Sequence, residues 1–196
     1  MKTTTQSQNH PRKGSVLIIE PLRSLEDVAK VKAVLKDHPR NLAIFVLGIN
    51  CGLRASDLLK LRNSDINWQR GEIIIREKKT GKIREIFIAT PVMQLLQKMK
   101  KDSKEDYYLF RSEKTGEAIT VSALNNMIKL WFFRAGIKGN FGSHALRKSF
   151  AHLHWKFFGT PVEVISQMLN HDNLGTTYRY LGIMPEDHKK VYLQVL

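Results

Sequence analysis

Apolar residues recur at three- and four-residue spacings along most of the chain, a period that predicts amphipathic α-helices. The first predicted helix opens at Ser24, where Asp27 three positions later completes an imperfect capping box. Its apolar positions are Val28, Val31, Val34 and Leu35. The same pattern predicts further helices at 41–50, 56–61, 121–135, 143–157, 162–169 and 176–181, one that begins at Thr90-Pro91, and a last one from residue 185 to the C-terminus.

Residue types at the helix starts predict which side chains cap the helices, and the apolar positions of one helix predict its buried face. Thr90 is expected to cap its helix, with Pro91 at the first helical position, and Thr120 to cap the helix at 121–135. Ser143 is expected to cap the helix that follows it. The helix at 162–169 is expected to bury a single face, made of Val162, Ile165, Met168 and Leu169.

The period changes in the middle of the chain, where two isoleucine-rich segments, 72–76 and 83–88, flank a polar turn. This arrangement predicts a β-hairpin in which Gly81 adopts a positive φ. An apolar, β-branched segment at 16–21 predicts another short strand. The predicted fold class is therefore α+β, mostly α-helical, with a small antiparallel β-sheet.

Charge adds a prediction about the partner. Residues 1–14 are polar and basic without periodicity and are expected to form a flexible arm, whereas 15–196 are expected to fold as one domain. The 196 residues include 32 Lys and Arg against 18 Asp and Glu, a formal net charge of +14. Such an excess favours a polyanionic partner, because Lys and Arg displace counterions from phosphates.

Several classes of protein are disfavoured. The sequence has no apolar stretch long enough to span a membrane, no signal-peptide core, no basic amphipathic helix and no lipidation site. A cytoplasmic protein without a membrane partner is therefore expected. Cys51 is the single cysteine, so no intrachain disulfide can form, and its place after an apolar run predicts a core residue.

Motifs for bound nucleotides and metals are missing. The sequence has no GxxxxGK(S/T), HExxH or CxxC pattern, and its carboxylates do not cluster into a site for two Mg²⁺ ions. No cofactor and no metal are therefore expected. Phosphoryl chemistry in such a chain would need cationic side chains around the phosphate and a side-chain nucleophile.

The segment that begins at Ser143 carries residues suited to that chemistry. His144 and Arg147 are three positions apart, so both project from one face of the predicted helix. The N-terminus of a helix also favours a bound anion. The opposite, core-facing side is expected to consist of Leu146, Phe150 and Leu153.

Three other segments carry candidates. His171 stands in a polar turn after an apolar helix, and Tyr180 follows nine residues later. Arg54 lies at a break between two helices, where pairing with Asp57 is an alternative to a functional role. Lys79 stands near the tip of the hairpin.

Together these segments resemble the tyrosine recombinases, also called phage integrases. The resemblance is carried by GLRASDLLKL at 52–61, the hairpin lysine, HALRKSF at 144–150, LNHDNLGTT at 169–177 and the final tyrosine. The family order of Arg, hairpin Lys, His-x-x-Arg, His or Trp, and Tyr is kept, and the similarity extends from Ser24 to the C-terminus.

The resemblance implies a role for each position. Arg54 and Arg147 would bind the non-bridging oxygens of a scissile phosphate and stabilise the charge of the transition state. Tyr180 would attack phosphorus to form a 3′-phosphotyrosyl bond. His144 would accept the tyrosyl proton. Because phosphotyrosine conserves the energy of the broken bond, resealing would need no ATP.

Three further roles follow from the same resemblance. Lys79 would protonate the 5′-oxygen that leaves, His171 would hydrogen-bond the phosphate, and Asp57 would support Arg54. The alternatives left open are Tyr178 and Tyr192 for the nucleophile and Lys78 and Lys82 for the hairpin lysine. The spacing to the preceding histidine favours Tyr180, and the Lys-Thr-Gly turn favours Lys79.

Asn170 departs from the usual family pattern, and two additional histidines lie close to His144 in the sequence. Asn170 stands where the family often has glycine, and because asparagine tolerates a left-handed φ the turn is expected to survive. His152 and His154 could join His144 in a metal site. At two positions apart they splay away from each other on a helix, so they are interpreted as ordinary helix residues.

The resemblance also implies domain organisation and partners. Family members usually carry a separate N-terminal helical domain, and the few residues before Ser24 predict that this core-binding domain is absent. The implied partner is double-stranded DNA, with a monomer in free solution, a tetramer on DNA and accessory DNA-bending proteins. The segment 184–196 is expected either to dock on a neighbouring subunit or to pack on its own domain.

Two other functions remain as alternatives. One is a type IB topoisomerase, which shares the chemistry but relaxes supercoils instead of exchanging strands. The other is a DNA-binding regulator that keeps the fold and has lost catalysis. The presence of Arg54, Arg147 and Tyr180 favours the recombinase.

Overall fold

A computed structural model describes residues 18–100 and 106–183 together with residue 193. Over these residues the chain is mostly helical with one small antiparallel sheet, which confirms the predicted α+β class. The helices are α1 (Leu25–Leu35), α2 (Pro39–Cys51), α3 (Ala55–Leu59), α4 (Thr90–Gln97), α5 (Val121–Arg134), α6 (His144–Phe158), α7 (Val162–Met168) and α8 (Leu174–Leu181). The strands are β1 (Ile66–Asn67), β2 (Glu72–Arg76) and β3 (Ile83–Phe87), and Asn63–Asp65 forms a 3₁₀ turn.

Side-chain caps explain where several helices begin. The Ser24 hydroxyl accepts a hydrogen bond from the Asp27 amide at 3.0 Å, and Thr120 caps α5 in the same way, as predicted. Asn173 caps α8 by accepting from the Thr176 amide at 3.0 Å. Because of that cap, α8 begins two residues before the predicted start.

Two predicted caps are wrong. Ser143 has helical dihedrals and its hydroxyl makes no capping hydrogen bond, while its amide donates to Oδ1 of Asn125 at 3.0 Å. The cap position of α4 is Ala89, so Thr90 is the first residue inside the helix and Pro91 the second. In both cases the backbone conformation at the helix start decides which residue is the cap, and residue type alone does not predict that conformation.

The sheet has the order β1-β2-β3, and both pairs are antiparallel. The predicted hairpin is confirmed, with Ile73 opposite Ile86 and with Gly81 at a φ of 68°. The predicted strand at 16–21 is wrong over its described part, residues 18–21, which lie outside any strand. There the Glu20 amide donates to the Asn140 carbonyl at 2.9 Å, and this one backbone–backbone hydrogen bond is not extended into a β-ladder.

Within the part of the chain that the structure describes, the buried apolar residues form two clusters that meet at α6. The larger cluster packs α1, α2, α4 and α5 against the sheet and includes Leu146 and Leu153 of α6. Cys51 lies in it as predicted, and burial raises the pKa of its thiol to about 12. The smaller cluster joins α6 to α7 and α8 and consists of Phe150, Ala151, Ile165, Leu169 and Leu181.

The single buried face predicted for α7 is only partly correct. Ile165 and Leu169 are fully buried and Val162 is half-buried, but Met168 is exposed. At about 100° per residue, Met168 lies outside the arc that Val162, Ile165 and Leu169 share, and Ser166, beside the opposite edge of that arc, is buried instead.

Gly52 sets the geometry of the break between α2 and α3. It ends α2 with a φ of 58°, and a Cβ at this position would lie 2.6 Å from the Phe150 ring. Glycine is therefore required both by the left-handed backbone and by the close approach of α6. The break carries Arg54 to the start of α3.

Some predictions fall on residues outside the described part of the chain. These are the flexible arm at 1–14, the helix from residue 185 and the segment 184–196. Among the described residues, no helix is both long enough and apolar enough to cross a membrane.

Candidate active site

Arg147 lies at the centre of the site. Its side chain is almost completely buried on α6, although the sequence predicted only the apolar residues of that helix to face inward. One terminal nitrogen donates to the Gly52 carbonyl at 2.6 Å, and the other donates to the carbonyl of Leu169. Burial lowers the pKa of Arg147, and the nearby Tyr180 hydroxyl opposes that shift. The guanidinium thus joins the ends of α2 and α7 and points its remaining donors at the site.

Tyr180 reaches this centre from α8. Its hydroxyl lies 3.4 Å from Nδ1 of His144, and its ring meets the His171 ring edge-on, with 4.9 Å between centroids. Of the two alternative nucleophiles, Tyr178 is exposed and Tyr192 lies outside the described residues. The geometry therefore brings Tyr180 together with His144, Arg147 and His171.

The two histidines are poised in the neutral form. Burial and then the charge of Arg147 lower the pKa of His144, and Lys148, Arg54 and Lys79 add to the effect. Burial and the same two arginines lower the pKa of His171 to about 4. A neutral imidazole can accept a proton, so His144 is available as a general base at neutral pH.

Arg54 is held by a carboxylate that the sequence analysis missed. Glu77, at the end of β2, is fully buried and forms salt bridges with Arg54 and, at 3.1 Å, with Arg84. Arg84 also donates to the Cys51 carbonyl at 2.9 Å. Burial opposes ionisation of Glu77, but the Asn170 amide and the two guanidiniums hold its pKa below the usual range.

The direct pairing of Arg54 with Asp57, considered as an alternative, is not found among the described residues. Asp57 is buried, and its Oδ1 accepts a hydrogen bond from the Lys78 amide at 3.2 Å, while Oδ2 has no partner among the described residues. Arg54 pairs with Glu77 instead, so Asp57 supports the base of the hairpin and reaches the arginine only indirectly.

The hairpin turn carries Lys79, whose charge acts on His144. Lys79 is exposed, and its positive charge contributes to the lowered pKa of His144. Thr80 donates to Glu77 at 3.0 Å, and the Gly81 amide donates to the Glu77 carbonyl at 2.8 Å, so the turn is built around the same carboxylate that holds Arg54.

Asn170 and the two further histidines of α6 have structural surroundings of their own. Asn170 adopts a positive φ of 49°, which asparagine tolerates. His152 packs beside Trp155, and His154 stacks between Phe150 and Phe158. Within 18–100 and 106–183, no group of three or more His, Cys, Asp and Glu side chains is arranged to hold a metal ion.

Comparison with known proteins places the chain in one family. A sequence model of the phage integrase family matches residues 23–186. The probable integrase/recombinase YoeC of Bacillus subtilis is 32% identical over 176 residues, covering 89% of this chain and 96% of that protein. The tyrosine recombinase XerA of Pyrococcus furiosus is 31% identical over 169 residues, but the chain spans only 58% of its length.

Solved structures support the same fold. The crystal structure of XerA recombinase aligns with a TM-score of 0.72 at 24% identity, covering 93% of this chain and 65% of that one. XerH recombinase bound to its difH substrate aligns with a TM-score of 0.69 at 22% identity, covering 96% and 59%. With the matching sequence relatives, these findings show that the chain belongs to the phage integrase family, the family of the tyrosine recombinases.

Proposed function

We propose that this chain is a site-specific recombinase that cuts and rejoins DNA strands through a 3′-phosphotyrosyl link on Tyr180. The observation that carries the proposal is the approach of the Tyr180 hydroxyl to His144 Nδ1 at 3.4 Å, beside Arg147. A neutral imidazole at that distance can accept the phenolic proton, and the guanidinium can hold the phosphate that the phenolate attacks.

The two arginines are suited to the phosphate because they are already oriented. Arg147 is anchored by two backbone carbonyls and Arg54 by Glu77, so neither guanidinium must reorganise as charge develops on the phosphate oxygens. A guanidinium has five N–H donors, which leaves donors on both residues for an incoming anion. Such preorganised cations stabilise a developing negative charge far better than mobile ones do.

The proposed reaction exchanges one phosphodiester bond for another. The Tyr180 oxygen passes its proton to His144 and bonds to phosphorus, the bond from phosphorus to the 5′-oxygen breaks, and Lys79 gives a proton to that oxygen. Religation reverses these steps with a 5′-hydroxyl from the same or another strand. No bond energy is lost, so the proposal needs no ATP.

Double-stranded DNA is the proposed partner. XerH was crystallised on its difH substrate, and lambda integrase was crystallised as a dimer on a COC′ core site. The net charge of +14 supports the same partner for this chain. We extend the proposal to a monomer in free solution that assembles into a tetramer on two duplexes, with accessory DNA-bending proteins directing the outcome.

Covalent trapping tests the chemistry. The protein is incubated without ATP and with EDTA on labelled nicked duplexes taken from the DNA beside its own gene, and label that remains on the protein is measured in SDS gels. Wild-type protein and Tyr178→Phe should form the adduct. Tyr180→Phe should form none while binding the DNA within a few-fold of wild type.

Other results would contradict the proposal. An adduct formed by Tyr180→Phe would exclude Tyr180 as the nucleophile. Salt-sensitive binding without any adduct from the wild-type protein would favour the DNA-binding regulator, and relaxation of supercoiled DNA without strand exchange would favour the topoisomerase.

A further inference from the structure

Lys148 contacts the ring of Tyr180, although neither the motif nor the proposed chemistry gives it a role. It follows Arg147 on α6 and is half-buried. Its Nζ lies 5.3 Å from the centroid of the Tyr180 ring and donates a hydrogen bond to the Ile19 carbonyl at 2.8 Å. An ammonium group at that distance from an aromatic ring is attracted by the negative charge of the ring face.

The Tyr180 ring is therefore contacted by several side chains at once. His171 meets the ring at 73°, His144 faces the hydroxyl, and Lys148 interacts with the ring. Because Lys148 interacts with the ring and not with the hydroxyl, it is placed to hold the side chain and not to exchange its proton. The smaller apolar cluster beneath α8 includes Tyr180 only at its partly buried margin, so these polar contacts decide where the ring lies.

The segment that leads into α1 fixes Lys148 in turn. The Asn140 side chain donates to the Ile18 carbonyl at 3.1 Å, and the Leu22 amide donates to the Ser149 hydroxyl at 2.8 Å. Between these two anchors, the Ile19 carbonyl receives the Lys148 ammonium. Contacts thus run without a break from Asn140 through Ile18, Ile19 and Lys148 to Tyr180.

We propose that Lys148 is a positioning residue that holds Tyr180 docked against His144 and Arg147, and that its bond to Ile19 makes docking depend on the segment 18–22. The cleavage and religation rates can test this positioning role only if the proposed recombinase function is correct. It predicts that Lys148 assists strand cleavage, which requires the free tyrosine to dock, but not religation, in which Tyr180 is already bound to the phosphate.

Single-turnover kinetics separate these steps. Lys148→Met should slow cleavage of a nicked duplex roughly 5- to 30-fold, the effect of losing one cation–π contact in a partly desolvated site. Its DNA affinity and its rate of religation with an added 5′-hydroxyl strand should stay within about twofold of wild type. Lys148→Arg, which keeps the cation, should recover most of the cleavage rate.

A matched control and a double mutant sharpen the test. Lys156→Met removes an exposed lysine from the same helix, one that lies over Phe157 and not Tyr180, and should leave cleavage unchanged. Asn140→Ala loosens the anchor at Ile18 and should slow cleavage two- to threefold. Combined with Lys148→Met it should add nothing further, because both changes act through one chain of contacts.

A readout without DNA keeps this inference separate from the proposed function. With 3-fluorotyrosine at position 180 alone, the ¹⁹F NMR signal of the free protein should shift and broaden in Lys148→Met but not in Lys156→Met. An unchanged signal, or equal slowing of cleavage and religation, would overturn the positioning role. If wild-type protein forms no adduct but the ¹⁹F signal still changes in Lys148→Met, the contact between Lys148 and Tyr180 is supported and only the proposed function is contradicted.

Discussion

At the scale of single residues, Glu77 is the side chain whose replacement should reveal most about Arg54. Glu77→Gln leaves two guanidiniums around a neutral amide in a buried site, and breaking a buried ion pair in this way costs about 3 kcal/mol. We expect the free energy of unfolding in urea to fall by about that amount and single-turnover cleavage to fall at least tenfold. Glu85→Gln, an exposed residue on the same hairpin, should change neither. Equal behaviour of the two variants would exclude Glu77 from the support of Arg54.

The protonation state of His144 gives a second prediction at this scale. Burial and the surrounding cations hold its pKa below the ordinary value of 6.5, so the imidazole is neutral at pH 7 and can accept the tyrosyl proton. Acid removes that capacity. Single-turnover cleavage should stay constant as the pH falls from 8 through 6.5, because the pKa of His144 lies below that value, and should then decrease by roughly tenfold per pH unit once the pH is below that pKa. A cleavage rate that keeps rising between pH 7 and 8 would argue for a base with a higher pKa.

At the scale of elements, two glycines allow backbone strain to be separated from packing. Gly52 and Gly81 both have a positive φ, but a Cβ on Gly52 would strike the Phe150 ring, whereas a Cβ on Gly81 would meet nothing within 4 Å. Gly81→Ala should therefore lower the free energy of unfolding only by the strain of a left-handed φ on alanine, about 1 kcal/mol. Gly52→Ala should cost roughly 2 to 4 kcal/mol, since it adds overpacking against α6. Urea denaturation of both variants measures the difference, and equal losses would show that the break tolerates a Cβ.

The same elements show what periodicity can and cannot predict. Helices are predicted by apolar residues three to four positions apart, and the hairpin strands by alternation every two positions. Among the motif residues, the structure brings Tyr180 together with His144, Arg147 and His171. Glu77 was missed because it stands in the run Arg-Glu-Lys-Lys, where charge alone predicts exposure. The two-residue strand β1 is too short to show a period. The cap predicted at Ser143 failed because Ser143 already adopts helical dihedrals, whereas a capping residue is usually extended, and residue type alone does not predict this.

At the scale of the whole molecule, net charge predicts how DNA binding responds to salt. Each phosphate that is neutralised releases condensed counterions, so the logarithm of the affinity falls linearly with the logarithm of the salt concentration. If about six phosphates are contacted, affinity should drop by roughly 10³ between 50 and 200 mM salt. Fluorescence anisotropy with a labelled duplex measures the slope. A flat response would count against double-stranded DNA as the partner.

The two carbonyls that hold Arg147 have a consequence for the evolution of related proteins. Because this guanidinium joins the end of α2 to the end of α7, its loss would leave two carbonyls without their partner and would destabilise even a descendant that no longer cuts DNA. Selection for stability would therefore preserve Arg147 after selection for catalysis had ended. Tyr180, at the margin of its small cluster, carries no comparable structural duty and would be free to drift. Among relatives of this chain, retention of the tyrosine is thus the better marker of an active enzyme.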